Sequence, residues 1–102
     1  MANTFKNYTS SGIGTGATTV YTVPASTVAV VIGMNFANVS TSQITVDAQV
    51  NGVYLIKAAP IPAGSALSAL DGKIILEAAD TLEVTSSDAS SVDVILSVLE
   101  QS

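Results

Sequence analysis

The ionisable side chains of this 102-residue chain are eight carboxylates, three lysines and three tyrosines; cysteine, histidine, arginine and tryptophan are absent. That inventory excludes a Cys/His zinc site, a thiolate nucleophile, a Ser-His-Asp triad and an imidazole base. The nearest approach to a catalytic pair is Asp80 with Glu83, and Glu77 stands close by. Hydrolysis of a glycosidic bond needs two carboxyls facing each other across a cleft, with aromatic platforms for the sugar. Here strand parity puts Thr81 and Glu83 on one face, so these acids read as solvated edge and turn charges. The EF-hand pattern is absent, which leaves an irregular calcium loop drawn from Asp71, Glu77, Asp80 or Asp88 as the alternative. The run Gly12-Ile13-Gly14-Thr15-Gly16 fits neither GxxxxGK[ST] nor GxGxxG before a helix, and reads as a flexible linker or docking segment. Lys6, Lys57 and Lys73 are too scattered to hold a phosphate; they serve solubility, Lys73 beside Asp71. Tyr21 and Tyr54 sit among apolar strand neighbours and read as core or interface residues rather than a ligand platform. Asn7-Tyr8-Thr9 and Asn38-Val39-Ser40 match the glycosylation acceptor pattern without a secretion signal beside them. No catalytic residue, cofactor or metal is expected.

The formal charge of −5 and pI near 4.1 argue against nucleic-acid binding, which requires clustered Lys or Arg. Residues 1–7 are polar and lack the apolar core of a signal peptide. The longest apolar stretch, Val28 to Met34, falls far short of the ~18 residues of a membrane helix. The expectation is a soluble chain with no membrane partner, its redox compartment left open by the lack of cysteine. Only 11% of residues are charged, against about 25% in ordinary domains. Eleven Thr and thirteen Ser supply the surface polarity, and with thirteen Val and eight Ile they favour pleated backbone. A surface so poor in charge is weakly defended against association, and much of it is expected to lie under other subunits.

These residues must be positioned by strands. After a short possible strand around Phe5 to Thr9, residues 1–16 read as an N-terminal arm or linker, and 17–102 as one β-sandwich domain. Ala17 to Val23 is β-branched and stops at Pro24. Thr27 to Asn38 is nearly continuous in apolar character, so both its faces are expected to be covered, as a central or an interface strand. Gln43 to Val50 alternates, and Asn51-Gly52 then marks a type I′ hairpin returning through Val53 to Lys57. Ala58 to Gly64, with two prolines, reads as a loop crossing an end of the sheet. Ser65 to Leu70 and Lys73 to Leu76 read as a pair of short strands about an Asp71-Gly72 turn, the second of them buried. Glu77 to Asp80 is a tight connection, and Thr81 to Thr85 alternates again. In the final run, Ser91 to Leu99, both faces are partly apolar. No window sustains a helical stripe. Seven or eight short strands imply an all-β, antiparallel sandwich, jelly-roll-like, with a flexible N-terminal arm.

Tyr21-Thr22-Val23-Pro24-Ala25, the strand end Asn35-Phe36-Ala37-Asn38, Pro60-Ile61-Pro62-Ala63-Gly64-Ser65, the stretch Asp71 to Leu82, and Ser90 to Glu100 together resemble small virion proteins of tailed bacteriophages. The resemblance runs from Thr18 to Glu100, with Ala79 where such turns usually have Gly. It implies a non-enzymatic structural role in the virion: a capsid decoration or cement protein that binds the major capsid protein or other virion proteins. Its alternatives are a neck or tail component, or a carbohydrate-binding adhesion module of a virion appendage. Such proteins join capsid subunits in symmetric clusters, so a homo-oligomer, a trimer first, is expected. The residues expected at subunit or capsid interfaces are Phe5, Tyr8, Val30, Ile32, Tyr54, Ile61, Ile95 and Leu99.

Overall fold

The computed structural model describes residues 3–68 and 73–102. Its strands are β1 (Asn3–Ile13), β2 (Thr18–Thr22), β3 (Val28–Asn38), β4 (Ile44–Val50), β5 (Val53–Ile61), β6 (Ala66–Ser68), β7 (Ile74–Leu76), β8 (Thr81–Ser86) and β9 (Val92–Gln101). All pairings are antiparallel. One sheet runs β1-β9-β3 with β6 and β7 both on the far side of β3; the other runs β2-β8-β4-β5. Early and late strands thus alternate within each sheet, and the two sheets close on one core as an all-β sandwich of jelly-roll order.

Alternation builds that core. Val92, Val94, Leu96 and Val98 of β9 point inward, as do Leu82 and Val84 of β8 and Ile44, Val46 and Ala48 of β4; all are buried. Phe36 and Met34 of β3 meet them from the first sheet. The Asn51-Gly52 turn has positive φ at both residues (51° and 80°) and pairs Val50 with Val53, as a type I′ hairpin demands.

Several elements differ from the sequence expectations. Residues 3–13, expected within a flexible arm, supply β1, which lies along β9 from Asn3↔Gln101 to Ile13↔Val92. The half-buried Tyr8 and the buried Ile13 tie it to the interior. The Pro60 region is not a loop: β5 continues to Ile61, with Pro60 opposite Thr45. Pro is tolerated there because β5 is an edge strand, and the strand absorbs the irregularity as a bulge in which Ala58 has φ 52°. The Ala58 N–H is redirected to Asp47 Oδ1, 2.6 Å away. β6 and β7 do not pair with each other; they line up along β3, opposite Phe36 and Val30 respectively. The expected Asp71-Gly72 turn lies outside the described residues. Nor is β3 covered on both faces: Val28 and Ile32 are solvent-exposed.

Candidate assembly interface

The sheet containing β1, β9, β3 and β7 presents its outer face as successive cross-strand rows. Phe5 of β1 stands opposite Leu99 of β9, Leu99 opposite Val30 of β3, and Val30 opposite Ile75 of β7. One apolar row therefore crosses four strands. Phe5 is 75% exposed and Ile75 66% exposed, the extremes one expects where nothing covers the row. Beyond it, Asn3, Gln101 and Val28 form one neighbouring row, and Thr9, Ile95, Asn35 and Ser68 another. Between them Ile32 sits at the register shift ahead of Gly33 and points outward. A shallow groove of about 560 Å³ runs here between Phe5, Lys6, Asn7, Ile32, Ser97 and Val98. An apolar centre with a polar rim is the anatomy of a protein interface.

Charge distinguishes this face from the other. Among the described residues its outward rows hold one carboxylate, Asp93, at the far end, where Oδ1 accepts the Gly12 N–H at 3.0 Å, while Lys6 lines the groove and Lys73 stands exposed just ahead of β7. The opposite sheet's outer face carries Asp47 and Glu83 on adjacent strands, Thr19 donating to Glu83 and Lys57 lying 3.9 Å from Asp47.

Beneath the β1 edge lies the one strongly coupled ionisable cluster among the described residues. Glu100, buried near the end of β9, accepts hydrogen bonds on Oε2 from Tyr8 (2.7 Å) and Tyr21 (2.6 Å), while Lys6 stands 4.0 Å from Oε1. The tyrosine rings lie 4.7 Å apart, tilted by 37°. Burial, reinforced by the Glu100 carboxylate, pushes the Tyr8 hydroxyl up to about 12 and Tyr21 further still. The Tyr21 hydrogen bond in turn holds Glu100 below the ordinary carboxylate range. With both hydroxyls donating to one buried carboxylate, the cluster acts as a bolt. Tyr21 belongs to the second sheet, so it bolts the two sheets together as well as seating β1.

The residues expected at an interface therefore separate. Phe5, Val30, Ile32, Ile95 and Leu99 share the outer face. Tyr8 lies beneath it in the bolt. Ile61 is in the core, because β5 runs on past the prolines, and Tyr54 is on the edge of the other sheet, stacked with Lys57 at 4.4 Å. The sequence reading missed Val28 and Ile75 on the face and Glu100 in the bolt. Ile74-Ile75-Leu76 looked buried as a unit, but β7 lies at an edge, where alternate residues remain open. Elsewhere, Asn38 is buried with its amide donating to Ile61 O and Ser42 O, which removes it as a glycan acceptor. Asp80 uses both carboxylate oxygens, accepting from the Glu77 N–H in its own turn and from the Asn51 amide of the β4–β5 hairpin. No three Asp or Glu side chains gather at metal-binding distance among the described residues, and Asp71 lies outside them.

The unpaired strand edges add to the candidate surface. β1 runs in unbroken register from Asn3 to Ser10 with its other side free, whereas β5 is bulged at Ala58 and carries Lys57 and Pro60. Lysine, proline and bulges are the usual means of blunting an edge. β1 carries Lys6 and a register shift only after Ser10, and has no proline.

No family model and no curated protein sequence matches the chain. In three dimensions it matches a chain of the structure described as "Bacillus endospore appendages form a novel family of disulfide-linked pili", with TM-score 0.57 and 14% identity, over 99% of this chain and 87% of that one. The fold is similar to that of a pilus subunit. This finding corrects the sequence expectation. The fold aligns along nearly its whole length with an appendage subunit rather than a capsid protein, so a capsid cement role, a major capsid protein partner and a virion location have no support. The phage resemblance rested on turns and strand ends, which any sandwich with the same winding shares.

Proposed function

We propose that the chain is a non-enzymatic structural subunit that polymerises with copies of itself into an appendage-type filament. The near full-length likeness to a subunit of disulfide-linked pili carries this reading. Three features of the chain support it: an ionisable inventory without Cys, His or Arg, a long β1 edge in continuous register from Asn3 to Ser10, and a low-charge, Ser/Thr-rich composition. The reading replaces the closed trimer expected from the sequence with an open repeat, since a filament requires contacts that do not close.

One departure from the matched pili follows from composition. With no cysteine, this chain cannot join its neighbours by disulfides. Its filament is held by strand-edge hydrogen bonds and buried apolar surface, so it is reversible in a way that a disulfide-linked one is not. Negative-stain electron microscopy of the concentrated chain tests the reading. Filaments with a regular axial repeat are expected; only monomers or discrete closed particles at every concentration would overturn it.

A further inference from the structure

The outer face centred on Phe5, Leu99, Val30 and Ile75 has an occupant that charge identifies. We infer that it seats the same face of a second copy of this chain, related by a two-fold axis lying in the plane of the face. The contact is closed, and it adds to the polymer reading a lateral pairing that strand-edge growth does not supply.

Three observations lead there. First, each copy carries a formal charge of −5, so two copies approach most favourably through surface free of carboxylates. The four-strand row and its flanking rows are that surface, whereas the other sheet's face carries Asp47 and Glu83. Second, a head-to-tail stack of the apolar face on the acidic one would strip water from those carboxylates without offering them partners, which is costly. Face-to-face pairing leaves both acidic faces in water. Third, the size is adequate. Four strands about 4.8 Å apart, over the ten residues of β9 at about 3.3 Å each, span roughly 600 Å² in projection. Side-chain relief raises the accessible area above that figure, toward the about 800 Å² per partner of a stable interface. A two-fold axis in the face lays the apolar row on its own counterpart and the uncharged polar rows on theirs.

The test is sedimentation of the full chain through a dilution series, alongside Phe5→Lys, Ile75→Lys and, as control, Val53→Lys. Val53 is 70% exposed but lies on β5 of the other sheet. Circular dichroism confirms that each variant is folded. The native chain is expected to pass between monomer and dimer along the series. Its dissociation midpoint should rise about tenfold or more for each face variant, because every side chain counts twice in a two-fold contact. Val53→Lys should leave it unchanged. Because the chain has no cysteine, Leu99→Cys adds a direct readout: oxidation should give a covalent dimer faster than the same oxidation of Val53→Cys. A native chain that shows no dimer step at any concentration, or a dimer indifferent to both face variants, overturns the inference even if filaments form. A dimer that responds as stated but never extends would instead refute the polymer reading and leave this one standing.

Discussion

The Tyr21 hydroxyl donates a 2.6 Å hydrogen bond to Glu100, joining β2 of one sheet to β9 of the other. Tyr8 of β1 donates to the same oxygen. A single buried carboxylate thereby decides both how the sheets meet and whether the first strand stays in place. Hydrogen bonds to a charged group contribute about 1.5–3 kcal/mol each when buried. Tyr21→Phe is expected to cost an amount in that range, and Tyr8→Phe less, since Tyr8 is half-exposed; chemical denaturation measures both.

The bolt also fixes the shape of the pH profile. Glu100 is held below its ordinary value in the fold, so its contribution is present above the unfolded carboxylate value and is lost as pH falls through the folded one. The tyrosines shift the opposite way. Their contribution is full below the unfolded value of 10.0 and is lost as pH rises toward about 12. Melting temperature against pH should show a plateau with a drop at each end. In the Tyr8→Phe, Tyr21→Phe double variant both drops should shrink.

Backbone conformation gives a pair of opposed substitutions. Ala79 has φ 71° in the turn where Asp80 N–H returns to Glu77 O, a left-handed conformation that costs a residue with a Cβ about 1–2 kcal/mol. Ala79→Gly should therefore raise stability by about 0.5–1 kcal/mol after the greater unfolded-state freedom of glycine is counted. Gly52→Ala, at φ 80° in the hairpin, should lower it by about 1 kcal/mol or more. Thermal unfolding of the two variants reads both signs.

Asn38 tests the account of the buried end of β3. Its amide donates to Ile61 O at 2.8 Å and Ser42 O at 2.9 Å, and its oxygen accepts from the Ser40 N–H and hydroxyl. Asn38→Ala leaves the Ile61 carbonyl without this partner and should cost about 2–3 kcal/mol. Exchange of the Ser40 amide hydrogen should accelerate in parallel.

The fold was legible where a side-chain pattern determined it alone. The alternation of β4, β8 and β9 and the Asn51-Gly52 turn specify faces and hairpin without outside help. Pattern fails where partners decide. Pro60 signals a break, yet an edge strand accommodates it; β6 and β7 look like a hairpin, yet each finds β3. Residues 3–13 offer only a short strand around Phe5 to Thr9, because few of their side chains are apolar and buried, Ile13 and half of Tyr8 among them. The same holds for the candidate surface. Phe5, Val30, Ile32, Ile95 and Leu99 were visible as apolar residues on a second face, but Ile75 reached that face only through its pairing with Val30. Glu100 was invisible as a bolt because its tyrosines stand 79 and 92 residues away.

The claim that this chain is a non-covalently polymerising subunit is tested most directly by sedimentation velocity of the purified protein at rising concentration, with and without reductant. The account predicts species that grow continuously beyond the 10.3 kDa subunit, fall apart on dilution and ignore the reductant. A single species of fixed, small size at every concentration would contradict it.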